Sequence, residues 1–186
     1  MTRLIAIALG LMFIGSAQAP RFTTLLDGTS MRGWNVVGDA NWQVMDGAVQ
    51  ASKGTGFLVT PRSYGNFQVI AEIWVDADAN SGVFIRVSDP AMITAMNAYE
   101  VNIFDKRPDP AYRTGAIVNV AMPLAKVDAG GKWNTLDITA QGSKFTVTLN
   151  GTKTAEGQDA KFARGAIALQ YGAGLVKFRS VRIREL

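Results

Sequence analysis

The chain has 186 residues, no cysteine, no histidine and a formal net charge of +4 from 19 Lys and Arg against 15 Asp and Glu. The missing imidazole and thiol exclude Ser-His-Asp and Cys-His catalysis, thiolate zinc sites and disulfide staples, so acid–base work falls to Asp, Glu, Lys or Tyr. No cofactor is indicated; a divalent metal held by oxygen ligands stays open, and the interspersed charges speak against nucleic acid as a partner.

The N-terminus reads as a targeting segment. Arg3 precedes an apolar run over 4–14, too short for the roughly 20 residues that cross a bilayer as a helix. Gly15, Ser16, Ala17, Gln18 and Ala19 then supply the small residues of a signal-peptide cleavage site, after either Ala17 or Ala19. The expectation is a signal peptide over 1–19 and a single exported domain over 20–186, periplasmic or secreted, with no membrane span after processing.

The rest of the chain shows short alternating runs broken by turn residues, the pattern of an all-β sandwich. Asp46-Gly47 and Asn150-Gly151 each sit between apolar runs and predict type I′ hairpins, because Asn, Asp and Gly tolerate positive φ. Further strands are predicted over 67–75, 82–87, 99–105, 115–120, 133–140, 165–171 and 176–183. Phe67, Val69, Ala71, Ile73 and Val75 form one apolar face, and Tyr99, Val101 and Ile103 another. The last strand falls out of step after Phe178, so a β-bulge is expected near Arg179-Ser180. No helical stripe follows residue 20; residues 90–98 allow one short turn.

In a sandwich, the residues opposite the core are the candidates for chemistry. These are Glu72 and Trp74 on 67–75, Phe84 and Arg86 on 82–87, Glu100 and Asn102 on 99–105, and Gln170 on 165–171. An acid, an amide, an arginine and aromatic rings on neighbouring strands would make a sugar-sized patch. Ile70, Trp74, Phe84 and Phe104 suit a concave surface better than an open one. Asp76-Ala77-Asp78-Ala79-Asn80 opens like a calcium loop but lacks the later Gly and Glu, and reads as an acidic turn.

Several blocks occur in an ordered series. They include Leu26-Asp27-Gly28 with Gly33-Trp34, Trp42 to Gly47, Asn80-Ser81-Gly82-Val83-Phe84-Ile85-Arg86, Tyr99-Glu100-Val101-Asn102-Ile103-Phe104-Asp105, and Gly165 to Gln170. In this order they resemble the 3-keto-disaccharide hydrolase family over essentially residues 22–186. The resemblance implies a concanavalin A-like jelly-roll sandwich of two antiparallel sheets. It implies action on 3-keto-glycosides by removal of the C2 proton, followed by elimination and hydration. The C3 ketone acidifies that proton, so a carboxylate suffices as base, and a cation can stabilise the enolate. On this likeness Glu100 and Arg86 are the catalytic candidates, and Glu72, Trp74, Phe84, Asn102, Gln170 and Tyr171 the substrate-binding ones. The partner is an oxidised mono- or disaccharide glycoside. The chain departs from the family where Asn102 replaces a Gln, Val118 a Tyr, and Tyr171 and Gly172 follow Gln170 in place of a His-containing run. A non-catalytic carbohydrate-binding module of the same fold is the alternative.

Overall fold

The computed structural model describes residues 21–186; the leader expected over 1–19 lies outside the described residues. The strands are β1 Thr23–Leu26, β2 Asn35–Gly38, β3 Gln43–Met45, β4 Ala48–Ala51, β5 Gly56–Val59, β6 Phe67–Val75, β7 Asn80–Val87, β8 Tyr99–Ile103, β9 Trp133–Gln141, β10 Lys144–Leu149, β11 Thr152–Gln158, β12 Ala166–Ala173 and β13 Val176–Glu185. One turn of 3-10 helix, Pro110–Tyr112, is capped by the Asp109 carboxylate. No helix among the described residues is long and apolar enough to cross a membrane.

The strands form two antiparallel sheets. The large sheet runs β11-β10-β9-β6-β13-β4-β3, with β1 beside the C-terminal half of β13, and the small sheet runs β2-β5-β12-β7-β8. The segment 115–118 adds a further edge to β8: the Asn102 amide donates to the Ala116 carbonyl and the Val118 amide to the Glu100 carbonyl. It was expected as part of a strand over 115–120, but Asn119 at φ 63° turns the chain back, so only a short edge forms.

Alternation puts one face of each sheet into a shared core. Phe67, Val69, Ala71, Ile73 and Val75 of β6 meet Tyr99, Val101 and Ile103 of β8 there, as the sequence predicts. The core takes its remaining bulk from Phe145, Phe178, Ile167, Leu169 and their neighbours. Both predicted hairpins are present, with positive φ at Asp46 and Gly47 and at Asn150 and Gly151. The predicted bulge is also present, between Phe178 and Ser180. It restores Val181 and Ile183 to the core and keeps Arg182 and Arg184 outside.

Candidate active site

Cross-strand register builds the outer face of the small sheet in two rows. The first is Glu100–Phe84–Ala168–Val59 and the second is Asn102–Gly82–Gln170–Phe57, running from β8 through β7 and β12 to β5. Residues paired across neighbouring strands share a face, so four candidates are brought together: Glu100, Phe84, Asn102 and Gln170. The rings of Phe57 and Phe84 meet edge to face with centroids 5.3 Å apart. The loop over 88–98 folds onto the first row. Ile93 and Ala98 close a small apolar cluster with Phe84, Val87, Val59 and Ala168. One part of the face is therefore filled, and a cleft of about 410 Å³ is left at the Gln170–Phe57 end of the second row, bordered by Phe57, Gln170, Asn80 and Ile93.

Gly82 forms the floor between Gln170 and Asn102. A Cβ there would lie 3.3 Å from both Gln170 Oε1 and the Phe84 ring, so any side chain would crowd the groups that border the cleft. Gln170 Oε1 is buried and accepts no hydrogen bond from any described residue. Asn102 differs. Its Nδ2 donates to the Tyr112 carbonyl and its Oδ1 accepts from the Ile103 amide, so it ties the following loop to β8 instead of presenting a free amide.

Glu100 is the acid of this face. No described residue donates a hydrogen bond to its carboxylate, and burial pushes its pKa up to about 7 against the opposing charge of Arg107. The cause is desolvation of the charged form beside Phe84. A carboxyl with a raised pKa on a sheet face beside a cleft is suited to general acid–base work near neutral pH. Glu100 does not line the cleft itself. It sits two strands from Gln170 and one row away, so the two are separated by about 12 Å along the sheet. The sequence reading missed Arg107, which the loop after β8 brings into electrostatic range of Glu100. Its guanidinium lies over the rings of Phe104 and Tyr112, each 5.9 Å from the centroid. No sequence spacing marks that return.

Four candidates lie elsewhere. Arg86 was expected beside Phe84, but its φ of 53° makes a bulge that breaks the β7–β12 register and turns the side chain inward. It is 1% exposed. Its Nε and Nη2 donate to the Gly65 carbonyl, and its Nη1 to the carbonyls of Gly142 and Phe162, at 2.8–3.0 Å. The Phe145 ring lies 5.2 Å away, and burial lowers the guanidinium pKa. Arg86 thus clamps three loops and does not share a face with Glu100. Gly165 makes room for the bulge, since a Cβ there would stand 2.3 Å from the Arg86 backbone.

Tyr171 points into the core. Its hydroxyl donates to the Gly174 carbonyl at 2.9 Å, its ring meets Trp42, and burial raises its pKa. Glu72 and Trp74 lie on β6, on the outer face of the large sheet, where Glu72 pairs with Arg179 and Lys177 sits over the Trp74 ring. The period-2 reading identified them correctly as outward but could not tell which sheet they belong to.

Asp105, next to β8, accepts from the Thr114 hydroxyl and the amides of Ala129 and Gly130, an anchoring role. Asp76 likewise accepts from the amides of Asp78 and Leu175, which makes that segment a turn. Among the described residues no three carboxylates converge as a metal site. The face offers one carboxylate and one uncommitted amide oxygen, so its donor set does not fit a divalent ion.

The family model for the 3-keto-alpha-glucoside-1,2-lyase-like domain matches residues 21–184. The chain belongs to this family. A candidate glycosyl hydrolase from Parabacteroides distasonis ATCC 8503 is 26% identical, with a TM-score of 0.76 over 89% of this chain and 100% of the other. A second such protein from that organism is 23% identical, with a TM-score of 0.78 over 89% and 94%. The carbohydrate-binding module CBM66 from Bacillus subtilis, 20% identical, shares the fold with a TM-score of 0.66 over 82% and 96%. No curated protein matches the sequence. The fold of this 3-keto-glucoside lyase-like domain is a concanavalin A-like jelly roll of two antiparallel sheets.

Proposed function

We propose that the protein is an exported enzyme that opens 3-keto-glycosides, with Glu100 as its proton-transfer group. The observation that carries this reading is the Glu100 carboxylate itself, half-buried, without a hydrogen-bond donor, and with its pKa pushed up to about 7. Membership of the lyase-like family supports this substrate class. In the proposed step Glu100 takes the C2 proton, which the neighbouring ketone acidifies. The C–H electron pair passes into the C3 carbonyl as an enolate and then returns to form the C1–C2 double bond as the C1–oxygen bond breaks. The proton then passes from Glu100 to the departing oxygen. Addition of water across the new double bond completes a net hydrolysis. Arg107, rather than Arg86, is the cation whose charge acts at Glu100, and it would oppose the negative charge that develops on the C3 oxygen. Gln170 Oε1 accepts a sugar hydroxyl, and the Phe57–Phe84 pair supplies an apolar wall.

The test is incubation of the purified protein with a 3-keto-disaccharide in deuterium oxide, following release of the second sugar and uptake of deuterium at C2. Turnover with C2 exchange that disappears in Glu100→Gln is the expected result. Full activity of Glu100→Gln overturns the assignment.

One observation favours a second reading, a carbohydrate-binding module: Glu100 stands outside the cleft that Gln170 borders. On that reading the sugar binds without turnover, and Phe84→Ala weakens binding more than Glu100→Gln does. Export rests on the leader-like residues 1–19, and mass spectrometry of protein from the periplasm or medium would show its removal.

A further inference from the structure

The outer face of the large sheet has its own pattern. Register across five strands aligns Trp133, Trp74, Lys177, Gln50 and Gln43 in one row, from β9 through β6, β13 and β4 to β3. Trp133 is 36% exposed and Trp74 is half-buried, so two indoles lie side by side in the sheet surface. Each carries a cation: Lys177 Nζ is 5.2 Å from the Trp74 ring centre, and Arg179 Cζ is 4.3 Å from that of Trp133. Crossing this row, β13 directs Lys177, Arg179, Arg182 and Arg184 outward over about 20 Å of strand. Arg179 pairs with Glu72; Lys177, Arg182 and Arg184 have no carboxylate partner among the described residues.

Two polar atoms on this face also lack partners. Gln50 is only 7% exposed, its Oε1 is buried without a donor, and its Nε2 reaches only the sulfur of Met45. Arg184 Nε is buried without an acceptor. A buried amide oxygen in want of a donor and a guanidinium N–H in want of an acceptor are costly left alone. The exposed groups define the ligand chemistry: carboxylate acceptors for the β13 cations, and an apolar sugar face for Trp133.

We infer that this face is a second glycan-binding surface, distinct from the Glu100 site, and that it docks an acidic polysaccharide along β13. A nucleic-acid strand or an anionic bilayer would satisfy the cations. Phosphodiester oxygens, however, only accept hydrogen bonds, and they would meet the carboxylates of Glu72 and Asp137, which stand on the same face. A uronate sugar, which carries hydroxyl donors beside its one carboxylate, suits a surface that mixes four cations with two acids. The inference does not depend on the chemistry at Glu100. A docked polymer would hold the opposite face of the sandwich, with its cleft, towards solvent.

The experiment is calorimetric titration of the purified protein with polygalacturonate, with neutral dextran, a single-stranded oligonucleotide and phosphatidylserine vesicles as parallel probes. Polygalacturonate should bind at low salt and weaken steeply as salt rises, because surface ion contacts are screened. Dextran should bind far less. Lys177→Gln with Arg182→Gln, both outward positions that leave the core untouched, should weaken binding roughly tenfold, and Trp133→Ala should do so at every salt concentration. Glu100→Gln should leave the titration unchanged, which separates this surface from the proposed active site. Absence of polygalacturonate binding at low salt, binding unmoved by the β13 pair, or tighter binding of the oligonucleotide or the vesicles would each overturn the inference.

Discussion

The two outer faces of the sandwich each carry a glutamate on a central or near-edge strand, and the two glutamates meet opposite environments. Glu100 stands beside Phe84 on the small sheet, under loops, with no hydrogen bond, and its neutral form is favoured. Glu72 stands on the large sheet, held in an ion pair by Arg179. The first is poised to exchange a proton near neutral pH; the second is a fixed charge in a screened surface pair. Both are outward on alternating strands, so outwardness alone does not make an acid reactive. Desolvation without a partner does, and it arises where loops return over a sheet.

The largest effect is expected on the other side of the strand that carries Phe84, at Arg86, which points away from the outer face. Arg86 donates four hydrogen bonds to the carbonyls of Gly65, Gly142 and Phe162. Arg86→Met removes the donors and leaves three part-buried carbonyls without them. At about 1–3 kcal/mol for each group left unsatisfied, three groups would cost roughly 3–9 kcal/mol, towards the lower end because solvent reaches them in part, read as a large fall in denaturation midpoint. Arg86→Lys should recover little, because one ammonium cannot reproduce the planar fork. A variant as stable as wild type would show that Arg86 does not clamp the loops.

The next effect is a pH dependence of stability. Glu100 has a folded pKa of about 7 against an ordinary value of 4.5. Between these values the folded state binds more protons than the unfolded one, so stability falls as pH rises. The contribution is fully present below about 4.5 and is lost as pH climbs through 7, at a cost of up to about 3 kcal/mol. Glu100→Gln should flatten that slope and be the more stable protein at pH 8. Parallel melting curves for the two proteins from pH 5 to pH 8 would remove the basis for treating Glu100 as desolvated. Activity carries the opposite sign. A base must be ionised, so kcat/KM should rise with pH through about 7, and Glu100→Gln should lower turnover on a 3-keto-disaccharide by ~100-fold or more.

The sequence reveals the fold more fully than the site, for a physical reason. Alternation at Phe67–Val75 and at Tyr99, Val101 and Ile103 is set by burial, which repeats along a strand and survives into the core. Turn dipeptides report a local backbone requirement, and both hairpins follow from theirs. Even the bulge near Arg179-Ser180 is visible, because apolar residues on either side of it must reach the same core. The bulge at Arg86 has no such mark. Val83 and Ile85 precede it in phase, and the displacement shows only in the pairing with β12, a strand some 80 residues away in the chain. Sheet membership is equally silent: β6 and β7 are consecutive in the chain, yet they belong to opposite sheets. Glu72 and Trp74 therefore read as neighbours of Glu100 until the topology separates them. Tyr171 is the simplest case. It follows Gln170 directly, so if one faces the cleft the other must face the core.

The smallest expected effect sharpens the comparison from the other side. Glu72→Gln breaks the pair with Arg179, whose guanidinium also lies over the Trp133 ring. The partners are partly solvated, and exposed pairs of this kind contribute below about 1 kcal/mol, so the melting temperature should barely move. Turnover should not change, because Glu72 lies across the core from the small sheet's outer face. The freed Arg179 would instead add a fourth unpaired cation to β13, so Glu72→Gln should tighten polygalacturonate binding at low salt and lose that gain as the ions are screened. Glu100→Gln should show the reverse pattern: large in turnover, absent in polysaccharide binding. If Glu72→Gln cost turnover as heavily as Glu100→Gln does, the two faces would be functionally joined, and the division between a reactive sheet and a docking sheet would fail.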